Sequence, residues 1–170
     1  AFVGWYNAHP DFADLDPRLN TEAVAVIGNG NVAIDIARVL VKTAAEMADS
    51  DIPEYAQRAI ERAPVEEVYL FGRRGPIEAK FTNVELREMG VLDDCAPVVD
   101  AAQLPDAVGE MSDRDRRLKE KNLATLQEFA TQDVGERRKR VHFRFFTSPV
   151  EILGGETVEG LHLEKTRLEG

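Results

Sequence analysis

Gly28, Gly30 and Ala33 stand at the spacing Gly-x-Gly-x-x-Ala, directly after the apolar run Ala23-Val-Ala-Val-Ile27 and at the head of a stretch with helical periodicity. Each position has a physical task. Gly28 lets the chain turn sharply out of a strand. Gly30 removes the Cβ that would block close backbone approach, and Ala33 allows the helix to pack tightly on the strand. The unpaired N–H groups and positive dipole end of such a helix receive phosphate oxygens, so the arrangement predicts a dinucleotide pyrophosphate cradle. Alone, the spacing also fits an ordinary tight βα turn. The strand before it, and Val32, Ile36, Val39 and Leu40 at helical intervals after it, supply the context the motif needs.

A second stretch, Val68-Tyr-Leu-Phe-Gly-Arg-Arg-Gly75, selects among dinucleotides. In a fold of this kind the end of the second strand lies beside the adenosine ribose. A carboxylate there would accept from the 2′-OH of NAD(H) and repel a 2′-phosphate. Arg73 and Arg74 instead offer permanently charged, forked donors suited to phosphate, which favours NADP(H). The interval from Gly28 to Arg73 exceeds the compact unit of ~30 residues, so an insertion within the crossover is expected.

The elements that must position these residues follow from periodicity and punctuation. A strand is expected near residues 22–27 and its helix over residues 31–48. A further helix follows over residues 54–62 after Pro53, and a second strand over residues 65–71. Thr82 with Glu85 has capping-box spacing for a short helix ending at Gly90. A short strand is expected at residues 97–99. Residues 112–132 read as a long charged helix with Leu118, Leu123, Leu126 and Phe129 on its buried side. Three β-like runs close the chain, at residues 140–146, 149–153 and 157–168, with Gly154-Gly155 as a hairpin turn. The predicted fold is α/β: a Rossmann-like, doubly wound, mainly parallel sheet with an antiparallel β addition in the C-terminal part. Residues 1–20, rich in Pro, Asp and aromatics, are expected to be a leading segment or interdomain linker, and residues 21–170 an NADP(H)-binding domain.

Composition narrows the partners. The chain has 170 residues, is 44% hydrophobic and carries a formal net charge of −10, which argues against nucleic acid and anionic membranes. Cys95 is the only cysteine, so no intrachain disulfide and no cysteine-ligated metal centre is expected, and a reducing cytoplasm fits. His9, His142 and His162 lack ligand spacing and are expected at surface or packing positions. No apolar run approaches the roughly 20 residues that span a bilayer. The chain begins at Ala1, inside an aromatic segment, and is expected to be part of a longer polypeptide.

Gly-Trp-Tyr-Asn at residues 4–7, Gly-Asn-Gly-Asn-Val-Ala at 28–33 with Asp35, and Gly-Arg-Arg-Gly-Pro at 72–76 occur together. Ala79, Phe81-Thr82 and Glu85-Leu-Arg-Glu88 follow. The combination resembles the adrenodoxin reductase-like ferredoxin–NADP reductases, closely over the first 90 residues and in layout beyond. The resemblance implies a flavoprotein with an FAD domain built from both ends of the full chain, the NADP(H) domain being inserted between. It further implies that Asn29, Gly30, Asn31 and Val32 line the pyrophosphate, that Arg73 and Arg74 hold the 2′-phosphate, and that Glu85 reaches toward the ribose or nicotinamide. The resemblance also implies that a hydride passes from NADPH to FAD and then single electrons to a ferredoxin-type iron–sulfur protein, with no catalytic acid, base or nucleophile expected in this chain. The basic runs Arg114, Arg116, Arg117, Lys119 and Arg137-Arg-Lys-Arg140 are candidate docking sites for that partner or solvated surface. The corresponding domain of a glutamate synthase-like or disulfide reductase-like flavoprotein, and a non-catalytic NADPH-sensing module, are the alternative readings.

Overall fold

The computed structural model describes residues 1–168, so the last two residues of the expected 21–170 domain lie outside the described residues. The first strand, β1 (Ala23–Ile27), is apolar and β-branched and leads through Gly28 and Asn29 into α2 (Asn31–Val41). The expected helix over residues 31–48 is two helices. Lys42 leaves the helical conformation, and α3 (Ala44–Ala48) begins afresh behind Thr43. The Thr43 hydroxyl accepts from the Glu46 N–H at 3.2 Å while the Glu46 carboxylate accepts from the Thr43 N–H at 2.8 Å, a reciprocal capping box that restarts the chain in a new direction. Next comes α4 (Glu54–Arg62), with Pro53 at its N-cap. α4 is the insertion expected over residues 50–62 in the crossover to β2 (Glu67–Phe71), and α3 lengthens it.

After β2 come α5 (Asn83–Glu88), β3 (Cys95–Val99), α6 (Asp113–Thr131) and β4 (Lys139–Arg144). The four strands form a parallel sheet in the order β1-β2-β4-β3. Beyond it, β5 (Thr147–Gly154) and β6 (Val158–Lys165) form a separate antiparallel hairpin, closed at Gly154 with φ +133°. Val68 and Leu70 of β2 and Val141 and Phe143 of β4 alternate onto one face of the sheet. There they pack with Ile34, Ala37 and Leu40 of α2, Leu86 of α5, and Leu126 and Phe129 of α6. Leu118 departs from the expected buried side and is 53% exposed. It precedes Leu123 by five residues, which turns it about 140° away around the helix.

The head of the chain is packed against the domain. A single turn, α1 (Phe2–Tyr6), buries Trp5 and Tyr6 in a second apolar cluster with Val39 of α2, Met47 of α3, and Ala56 and Ile60 of α4. Tyr55 donates its hydroxyl to the Trp5 carbonyl at 2.7 Å.

One consequence of the sheet register positions the site. Ile27 of β1 pairs with Phe71 of β2, which pairs with Arg144 of β4. The segments that follow these three strands therefore emerge side by side at the carboxyl edge of the sheet, where open α/β sheets bind ligands.

Candidate functional site

A cleft of about 580 Å³ opens at that edge. Its walls are the glycine turn (Ile27 to Gly30), the arginine loop (Phe71 to Gly75), the return segment (Glu78 to Lys80), and Thr147, Ser148 and Pro149 at the start of β5.

The glycine turn is built as its sequence requires. Gly28 has φ +141°, a conformation that L side chains rarely adopt, and its N–H donates to the Phe71 carbonyl at 2.8 Å. Gly30 occupies the N-cap of α2, and a Cβ placed there would meet nothing within 4 Å. The space in front of it is open. No side chain caps α2, and its N-cap Gly30 lines the cleft. Asn29 leans across Gly72, where any Cβ would fall 1.6 Å from the Asn29 amide nitrogen. The Asn29 Oδ1 is buried without a hydrogen-bond partner among the described residues.

Asn31 and Val32 are placed differently. The Asn31 Oδ1 accepts from the Thr82 N–H at 2.7 Å, tying the head of α2 to the segment that leads into α5. Val32 is 63% exposed, and neither residue is among those lining the cleft.

The arginine loop is held by its backbone, which leaves its side chains available. The Gly72 N–H donates to the Arg144 carbonyl at 2.9 Å and the Thr147 N–H to the Gly72 carbonyl at 3.0 Å. The Arg74 carbonyl accepts from the Phe146 N–H at 3.1 Å, and the Arg73 carbonyl accepts from the Thr166 hydroxyl. Both arginine side chains are exposed, and among the described residues neither has a carboxylate within 4.0 Å. The open space at Gly30, the N-terminus of α2 and two exposed guanidiniums fit a dinucleotide carrying an additional phosphate.

Glu85 lies outside the cleft. Its carboxylate accepts from Arg38 at 3.0 Å, and Arg38 also donates to Asp35 at 3.2 Å and pairs with Glu88. The expected Thr82–Glu85 capping box is not formed, because the Glu85 carboxylate is drawn to Arg38 while the Thr82 N–H is satisfied by Asn31. Tyr6 joins the same network by donating to Asp35 at 2.5 Å. Burial, followed by that hydrogen bond and the Asp35 charge, raises the Tyr6 phenol well above its ordinary value.

The two basic runs separate in the same way. Arg137 donates to the Val134 and Asp133 carbonyls, Arg138 pairs with Asp94 at 2.6 Å, and Arg140 bonds back to the carbonyls of Arg137 and Lys139. The Arg138 hydrogen bond in turn holds the Asp94 carboxyl below its usual value. On α6, Arg114, Arg116 and Arg117 are exposed, while the Lys119 ammonium donates to the Ala79 carbonyl at 2.6 Å, with its pKa lowered by burial. Lys119 thus props the return segment of the cleft.

Glu78, Lys80 and residues 147–149 are site residues that sequence reasoning did not single out. Residues 147–149 arrive only because β4 lies next to β2 in the sheet, a pairing that leaves no local signal. His142 is half-buried, stacked on Tyr69 with centroids 4.4 Å apart and paired with Glu67, a packing role.

No family model matches the chain. NADPH-ferredoxin reductase FprA of Mycobacterium tuberculosis is 40% identical over 167 residues, covering 98% of this chain and 37% of that protein. The mitochondrial NADPH:adrenodoxin oxidoreductase of Bos taurus is 38% identical over 180 residues, covering the whole chain and 37% of that protein. A solved structure of Mycobacterium tuberculosis FprA in complex with NADPH superposes with a TM-score of 0.87 at 39% identity, over 96% of this chain and 36% of that one. Over nearly its whole length the chain is similar to one part of the adrenodoxin reductase-like ferredoxin–NADP reductases. It spans a little over a third of the length of these reductases. Among the described residues no helix is long and apolar enough to cross a membrane.

Proposed function

We propose that this chain is the NADP(H)-binding domain of a ferredoxin–NADP reductase, residues 21–170 forming the domain and residues 1–20 leading into it. The observation that carries the reading is the pair Arg73 and Arg74, exposed and without a carboxylate within 4.0 Å among the described residues, across one cleft from the glycine turn. In this reading Gly28, Asn29 and Gly30 receive the pyrophosphate at the head of α2, with Asn31 and Val32 shaping the first turn behind them. Arg73 and Arg74 hold the 2′-phosphate. Glu85 acts at one remove, through Arg38, on the placement of α5 against α2.

The bound nicotinamide supplies a hydride; the residues of this chain hold and orient the cofactor, and none of them need transfer a proton. The hydride acceptor is FAD carried by another part of the polypeptide, and the final acceptor is a ferredoxin-type iron–sulfur protein in a reducing, cytoplasmic setting. Arg114, Arg116 and Arg117, exposed on α6, are the better candidates for steering that acidic partner, since the residues at 137–140 are largely engaged internally. Calorimetric titration of the chain with NADPH and NADH tests the reading. A strong preference for NADPH is expected, and equal affinities would overturn it.

A further inference from the structure

Four charged side chains line the cleft, and only two of them are accounted for by a 2′-phosphate. Arg73 and Arg74 lie beyond β2. Lys80 lies at the other end, against the glycine turn. Its N–H donates to the Asn29 carbonyl at 2.8 Å, and it forms a one-residue parallel bridge with Gly30. Such a bridge sets the two backbones about 4.8 Å apart, well within the reach of a lysine side chain. The residues on either side, Ala79 and Phe81, are buried in the core, so alternation along the extended backbone turns Lys80 outward. Its side chain is exposed, and among the described residues no carboxylate lies within 4.0 Å of it. The space in front of Gly30 beside it is open.

We infer that Lys80 is a pyrophosphate-binding residue, its ammonium closing the side of the cradle that faces the N-terminus of α2. The inference rests on the NADP(H) reading above. A compact point charge suits a bridging diphosphate, whereas the guanidinium fork suits the terminal phosphate oxygens at the ribose. The cleft then divides its work: Arg73 and Arg74 set the preference for NADP(H) over NAD(H), and Lys80 sets the affinity common to both.

The test compares the chain with Lys80→Met, titrated with NADPH, NADH and 2′-AMP at low and moderate salt. The variant is expected to lose about tenfold in affinity for NADPH and for NADH alike, with a shallower salt dependence. It should keep its affinity for 2′-AMP, which lacks the diphosphate. Lys80→Arg should retain most of the binding, and the melting temperature of each variant should match the parent. Undiminished NADPH binding by Lys80→Met, or a loss that extends equally to 2′-AMP, would overturn the assignment. A parent chain that binds NADH as well as NADPH would refute the cofactor preference while leaving the Lys80 contact measurable through NADH.

Discussion

Arg38 lies in the last turn of α2 with three carboxylates on its guanidinium and a side chain 13% exposed, whereas Arg73 and Arg74 stand exposed on a loop with none within 4.0 Å among the described residues. The side-chain chemistry is the same and the surroundings are opposite. Arg38 satisfies Asp35, Glu85 and Glu88, and so joins two helices; its charge is spent within the fold. The loop arginines are positioned by main-chain bonds through Gly72, Arg73 and Arg74, and no side chain among the described residues accepts from their guanidiniums. An arginine whose backbone is fixed and whose side chain is unpaired is the arrangement expected of an anion site.

The widest separation between the two regions should appear on removing both loop arginines. Arg73→Ala with Arg74→Ala is expected to cost about 100-fold in NADPH affinity, given roughly 1.5 kcal/mol for each charged hydrogen-bonding group at an exposed site. Affinity for NADH and the melting temperature should stay near the parent values. Calorimetry and thermal denaturation read both, and a large fall in melting temperature would mean that these arginines are structural after all.

Arg38→Met should behave in the opposite sense. Three carboxylates would lose their shared cation, and a loss of about 1–3 kcal/mol in stability is expected, since the group is not fully buried. The ratio of NADPH to NADH affinity should not change. A shift in that ratio without loss of stability would place the Arg38 network in the cofactor site and restore a direct role for Glu85.

Gly72→Ala probes the boundary between the regions. The new methyl would fall on the Asn29 side chain, so Asn29 must move and the glycine turn with it. Affinity for NADPH and NADH should drop together, by about tenfold for roughly 1.4 kcal/mol of displacement. Retained affinity would show that Asn29 is not needed in its present position.

The contrast also marks what a sequence can disclose. The glycine turn and the arginine loop are contiguous stretches whose backbone demands are written in adjacent residues, and both stand where their spacing placed them. The parallel sheet and the late hairpin were legible for the same reason. Glu85 was not, because its partner Arg38 is 47 residues away and competes with the local capping-box geometry that Thr82 offered. The break at Lys42 carried a signal that helical periodicity overrode: Thr43 and Glu46 have the same capping spacing and do form the box. Leu118 misled because hydrophobicity was read without its angle around the helix. Residues 147–149 could only be found once β4 was known to lie beside β2.

Tyr6→Phe should give the smallest effect, and its pH dependence identifies the cause. The hydroxyl donates to Asp35, so its loss should cost about 1 kcal/mol of stability at neutral pH. Burial and Asp35 raise the phenol of the folded chain above the ordinary value of 10.0, so the folded state holds this proton more tightly than the unfolded state does. The contribution is therefore complete below pH 10 and is lost as pH rises above it, where the unfolded chain releases the proton first. The stability gap between parent and Tyr6→Phe, measured by urea unfolding at pH 7 and at successive values above 10, should be constant below pH 10 and shrink above it. A gap that widens on the alkaline side would mean that Tyr6 is charged within the fold, and that the cluster around Arg38 holds spare positive potential like that of the loop arginines.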